Sequence, residues 1–114
     1  MGEIVTIEEW RMMLEKEKVL LLITKKTCQD CIKVEEYLKL KNYQLDGVLV
    51  EKVSLDSPKF EKLSTNLKWI EKEVDVIPFW TLMKYGERVS TIRGGIKEAR
   101  NLITSSQGRR FQED

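Results

Sequence analysis

Val19-Leu20-Leu21-Leu22-Ile23 is apolar at every position. A strand with one face in water alternates apolar and polar side chains, whereas a strand covered on both faces does not. The run is far too short to cross a membrane. It predicts a strand inside a sheet that carries helices on both faces, and the rest of the chain has to supply those helices.

The flanking segments do so by their spacing. A short opening strand is expected over Ile4–Ile7. Ile7, Trp10, Met13 and Leu14 then form a helical stripe reaching about Glu17, with Thr6 placed to cap it. Val34, Tyr37, Leu38 and Leu40 fit a helix from Gln29 to about Lys41, followed by a loop from Asn42 to Gly47. Val48 to Leu55 reads as a second buried strand. Pro58, in the turn Asp56-Ser57-Pro58, suits a helix start. Phe60, Leu63, Leu67, Ile70 and Val74 step by three and four, as one helix does. After Ile77-Pro78, Phe79–Lys84 and Arg88–Arg93 form a hairpin about Tyr85-Gly86.

Ile96, Ala99, Leu102 and Ile103 mark a last helix, and Trp10, Trp69 and Trp80 are expected to pack in the core. Strands separated by helices pair in parallel through right-handed crossovers, and a tight turn makes an antiparallel pair. The chain is therefore expected to be α/β, with a mixed central sheet of four or five strands and helices on both faces. Residues 1–105 make a single domain, and 106–114 a polar, frayed tail.

Charge excludes some partners. Lys plus Arg number 20 and Asp plus Glu 19, so no global field draws nucleic acid. Met1-Gly2-Glu3 lacks the basic start of a secretory leader. No membrane partner is expected, and a cytoplasmic location is.

There are two cysteines and no histidine. A disulfide framework is not expected of such a chain. Zinc normally takes four Cys or His ligands, so neither a metal nor another cofactor is expected. Redox chemistry is favoured by placement: Cys28 and Cys31 follow the buried strand and open a helix. Residues three apart are neighbours on a helix face. The first falls at the helix N-terminus, where unpaired N–H groups and the helix dipole favour a thiolate, the reactive form.

In this setting Cys28-Gln29-Asp30-Cys31 resembles the thioredoxin family, and the likeness covers nearly the whole chain. Val76-Ile77-Pro78 resembles the segment holding that family's cis-proline. Gly86, in Lys84-Tyr85-Gly86-Glu87, follows Pro78 by eight residues, as in the family's hairpin. Gly94 matches the glycine lining its peptide groove, and Lys52 a lysine beneath its active site.

The resemblance implies a thioredoxin fold and thiol–disulfide exchange. Cys28 would be the nucleophile and Cys31 the resolving thiol, closing a Cys28–Cys31 redox disulfide. Ile77, a cis Pro78 and Gly94 would hold an extended substrate. The implied partners are disulfide-containing proteins and a thioredoxin-reductase-like or glutathione electron donor.

Three positions depart from the pattern. Thr27 stands where the family has tryptophan, and Gln29-Asp30 replaces Gly-Pro. Leu22 occupies the place of the buried aspartate that moves protons. Asp30 is expected to work against a neighbouring thiolate, while Lys25, Lys26 and Lys52 work for it. The balance is expected to fall to Asp30, making the pair reducing. Two other readings stay open. One is a glutaredoxin-like protein, because Arg93-Gly94-Gly95-Ile96-Lys97-Glu98 partly resembles that family's glycine-rich region. The other is a thioredoxin-fold binding module without catalysis.

Overall fold

The computed structural model describes residues 2–65 and 67–113, with side chains as far as Ser105. In chain order the elements are α1 (Ile7–Leu14), β1 (Val19–Thr24), α2 (Gln29–Leu40), β2 (Gln44–Leu45), β3 (Val48–Ser54), α3 (Phe60–Ser64), α4 (Lys68–Glu73), β4 (Phe79–Lys84), β5 (Glu87–Arg93) and α5 (Ile96–Glu113). The five strands form one sheet in the order β2-β3-β1-β4-β5. β1 lies at its centre, parallel to β3 and antiparallel to β4. A mixed α/β sheet with helices on both faces is what the apolar run demands.

Every residue of β1 is buried, and alternation divides its side chains between two cores. Val19, Leu21 and Ile23 meet Trp10 and Met13 of α1, Leu63 of α3 and Ile70 of α4. Leu20 and Leu22 meet Val34 and Leu38 of α2 and Ala99, Leu102 and Ile103 of α5. Trp10 and Trp80 are buried. Trp69 packs at the edge of the first core with the Arg88 guanidinium 4.1 Å over its ring.

Four elements differ from expectation. No opening strand forms among the described residues beyond a single Glu3–Lys52 bridge. The Val5 and Thr6 N–H groups donate instead to Glu9 Oε1 (2.9 and 3.1 Å), and Thr6 Oγ1 accepts from the Glu9 N–H, so the cap of α1 takes donors a ladder would need. α1 also stops at Leu14, three residues short of Glu17.

The loop from Asn42 to Gly47 holds the two-residue strand β2. Asp46 and Gly47, both at positive φ (51° and 81°), turn it tightly onto β3. The stripe from Phe60 to Val74 is carried by two short helices, because Leu67 leaves helical geometry (φ −125°, ψ 45°) while staying in the core.

The β4–β5 hairpin turns on Tyr85 and Gly86, again both at positive φ. A side chain at Gly86 would meet the Leu14 carbonyl at 3.0 Å. The helix α5 runs to Glu113; the tail expected over 106–114 has its side chains outside the described residues. No helix among the described residues is long and apolar enough to cross a membrane.

Truncating the central strand tests this packing. Leu21→Ala is expected to lower unfolding free energy in urea by about 2–5 kcal/mol. Leu40→Ala, at an exposed position of α2, should change it by less than about 0.5 kcal/mol.

Candidate active site

Thr24 ends β1, and four residues later the chain enters α2 through Cys28. Cys28 is the N-cap of α2, with extended backbone (φ −88°, ψ 121°), and its sulfur accepts the Cys31 N–H at 3.2 Å. The Ile32 N–H closes the first turn on the Cys28 carbonyl at 3.0 Å. A sulfur therefore takes the place of the hydroxyl or carboxylate oxygen that usually caps a helix.

The approach loop is held from β3. The Lys26 N–H donates to both Asp56 carboxylate oxygens (2.9 and 3.1 Å), and Ser54 Oγ donates to the same carboxylate at 2.8 Å. The Lys26 N–H, and to a lesser degree Ser54, hold the Asp56 carboxyl below its usual range.

The two thiols are unequal. Both are free; Cys28 is half-exposed and Cys31 is fully buried beneath it. Burial pushes the Cys31 thiol up to about 11, helped by its bond to the Cys28 sulfur. The Thr24 hydroxyl pulls the other way.

An open groove of about 530 Å³ runs along one side of α2. Asp30, Lys33, Val34 and Tyr37 line it from the helix, facing Val76, Ile77, Pro78, Gly94 and Ile96. The Ile77–Pro78 peptide bond is cis. The Gly94 N–H donates to the Pro78 carbonyl at 3.0 Å, and the Gly94 carbonyl accepts from Trp80 Nε1 at 2.8 Å. Gly94 has φ +131°, and a side chain there would collide with Glu98 at 2.8 Å. Arg93 Nε donates to Asp75 at 2.6 Å, tying the segment before Val76 to β5.

Lys52 stands apart from the groove. It lies beside Leu22 in the β1–β3 register, on the face covered by α2. Leu22 is fully buried and apolar, so strand β1 offers this ammonium no carboxylate. The partner comes from the helix: Lys52 Nζ bonds to Glu35 Oε1, with the two side chains only 13% and 15% exposed. Burial works against the Lys52 ammonium, but Glu35 more than offsets it, and its pKa is raised. The other Glu35 oxygen accepts from Thr24 Oγ1 at 3.4 Å.

Of the residues singled out in the sequence, Asp30, Ile77, Pro78 and Gly94 share the groove, and Cys28 and Cys31 sit at its helix. Lys52 lies beneath α2. Lys26 has its side chain on the opposite flank, in a small cleft with Ile32, Glu35, Glu36 and Lys39. Among the described residues no three His, Cys, Asp or Glu side chains cluster so as to hold a metal.

Sequence reasoning passed over Thr24, Glu35 and Asp56. Glu35 follows Cys31 by four residues, a spacing that places two helical side chains on one face. That signal was available.

No protein-family model matches the chain, and no curated protein matches it in sequence. Solved structures do. Oxidised thioredoxin from Plasmodium falciparum superposes with a TM-score of 0.69 at 15% identity, covering 92% of this chain and 96% of that one. Thioredoxin O1 from Arabidopsis thaliana gives 0.68 at 15% identity, covering 91% and 95%. Mitochondrial thioredoxin 3 from Saccharomyces cerevisiae gives 0.65 at 20% identity, covering 95% and 94%. The chain has the thioredoxin fold.

The buried thiol makes the stability of the reduced protein sensitive to alkali. Its pKa is about 11 folded against an ordinary 9.0, so the folded state holds the proton more tightly. That contribution is complete below pH 9 and is lost as pH rises through 11. Urea unfolding under dithiothreitol should show stability declining over this window, with a shallower decline in Cys31→Ala. Lys52, also raised, accounts for part of what remains.

Proposed function

We propose that the chain is a thiol–disulfide oxidoreductase that reduces disulfides in other proteins. The observation that carries this reading is the unequal pair: an accessible sulfur capping α2 and a buried thiol one turn below it. Exchange needs one thiol that meets substrate and a second that waits. At neutral pH Cys31 keeps its proton, so Cys28 makes the first attack. The Cys31 N–H already points at the Cys28 sulfur and bonds more strongly to it when it is charged.

Cys28 displaces one substrate sulfur and forms a mixed disulfide. Cys31 then attacks the Cys28 sulfur, and the second substrate sulfur leaves with the electron pair and takes up a proton. The substrate disulfide gains two electrons, and the chain is left with a Cys28–Cys31 disulfide. An extended segment of the substrate lies in the groove beside Ile77, Pro78 and Gly94. Asp30 lines the groove, and the pair is read as reducing.

A thioredoxin-reductase-like protein or glutathione returns the electrons, in a cytoplasmic setting that keeps such thiols reduced. The fold shared with thioredoxins supports this assignment, as does the grouping of Asp30, Ile77, Pro78 and Gly94 around one groove.

Turbidity from insulin reduction by dithiothreitol checks the activity. The parent protein should accelerate it, Cys28→Ser should abolish the acceleration, and Cys31→Ser should accumulate a mixed disulfide. An inactive parent would replace this reading with a binding module. Turnover on glutathione and glutathione reductase alone would identify a glutaredoxin-like enzyme.

A further inference from the structure

The groove beside α2 carries two charges that the chain itself does not use. Asp30 and Lys33 are the charged residues among its lining; Val34, Tyr37, Ile77, Pro78 and Ile96 make most of the remaining wall. The charged side chains next to that wall are matched within the chain. Arg93 Nε donates to Asp75 at 2.6 Å, Arg100 donates to the Tyr37 hydroxyl at 2.6 Å, and Glu98 Oε1 accepts the Gly95 N–H at 2.9 Å. Asp30 and Lys33 differ. Both are exposed, and among the described residues neither side chain has an ion pair or a hydrogen bond, to one another or elsewhere.

Helix geometry sets their order. They lie three residues apart on the groove face of α2, which puts their Cβ atoms about 5–6 Å from each other. Cys28 caps the helix, so a segment leaving its sulfur along the groove meets the carboxylate first and the ammonium one turn later. In an extended segment, residues two apart point the same way and are separated by about 7 Å. Long side chains close the small difference. Lys26 has its side chain in the cleft on the other flank of α2, outside the groove.

We propose that Asp30 and Lys33 make the groove selective for disulfides whose cysteine has a basic residue beside it and an acidic residue two positions farther along. This rests on the oxidoreductase reading above and names a substrate class for it. Asp30 faces the basic side chain and Lys33 the acidic one, and the sulfur exchange is left to Cys28 and Cys31. A segment with the reverse order sets like charges against each other on both positions, so attraction and repulsion discriminate together.

Two peptides of one composition test the order of charges at constant net charge: Glu-Ala-Lys-Cys-Lys-Ala-Glu and Lys-Ala-Glu-Cys-Glu-Ala-Lys, each with blocked ends and as its disulfide-linked homodimer. Each reads the same outward from cysteine in both directions, so the orientation of the segment in the groove does not matter. The rate at which the reduced protein opens each disulfide is divided by the rate with dithiothreitol, which removes the peptide's own reactivity. The parent should favour the first peptide by about fivefold at low salt, the scale of two exposed charge pairs. The preference should fade in about 1 M sodium chloride. Exchanging the charges, Asp30→Lys with Lys33→Asp, should reverse it, and Asp30→Glu should keep it. Both peptides meet the same Cys28, so a change in its ionisation moves both rates together and leaves their ratio alone.

Equal normalised rates in the parent, or a preference for the second peptide, overturn the selectivity. So does a preference for the first that survives the exchange of charges or the high salt. A parent that opens neither disulfide overturns the oxidoreductase reading itself.

Discussion

The absence of any wet face on β1 governs the rest of the molecule. Each of its side chains has to be covered, so the chain must lay one helical layer over Val19, Leu21 and Ile23 and another over Leu20, Leu22 and Thr24. α2 belongs to the second layer and enters directly from the C-terminal end of β1. Its first turn is therefore presented at the strand ends, where open α/β sheets place their sites. The two cysteines are delivered there by a packing requirement, and the Asp56 carboxylate on the turn after β3 holds the connecting loop through the Lys26 N–H.

The same alternation creates an electrostatic demand. Register puts Lys52 beside Leu22 under α2, with its side chain only 13% exposed. An ammonium withdrawn from water needs a carboxylate, and leaving a fully buried one unpaired costs about 3–5 kcal/mol; residual exposure reduces that figure here. Glu35 meets the demand from the helix. An intrahelical spacing of four residues then fixes that carboxylate relative to Cys31, independently of small shifts between helix and sheet.

Much of this could be read from the chain alone, for reasons that differ by element. β1, β4 and β5 were legible because unbroken apolar runs and a tight turn are strong local signals. α2 was legible from Val34 and Leu38. The break between α3 and α4 was not, since Leu67 keeps the apolar stripe in step while its backbone leaves the helix. β2 is too short for any periodicity, although Asp46-Gly47 is a strong hairpin signal. The opening strand failed because Glu9 captured its donors.

At the site, the groove residues followed from their order in the chain. Glu35 was legible only through its four-residue spacing from Cys31, which sets it rather than the adjacent Glu36 on the face that Cys31 shares; its bond to Lys52 comes from the register of β3 under α2. Beside the apolar Leu22, the Lys52 ammonium finds its carboxylate on α2 rather than on β1.

The Lys52–Glu35 pair also fixes which face α2 turns to the sheet. On α2 the groove side is marked by Asp30, Lys33, Val34 and Tyr37, and the cleft side by Ile32, Glu35, Glu36 and Lys39. Each set steps by three or four residues, so each forms one stripe of the helix. Cys31 lies between them, pointing into the core. The groove and the cleft therefore lie on opposite flanks of α2. The salt bridge from Glu35 to Lys52 ties the cleft side to the sheet, whereas the groove side faces the Val76–Pro78 segment and Gly94.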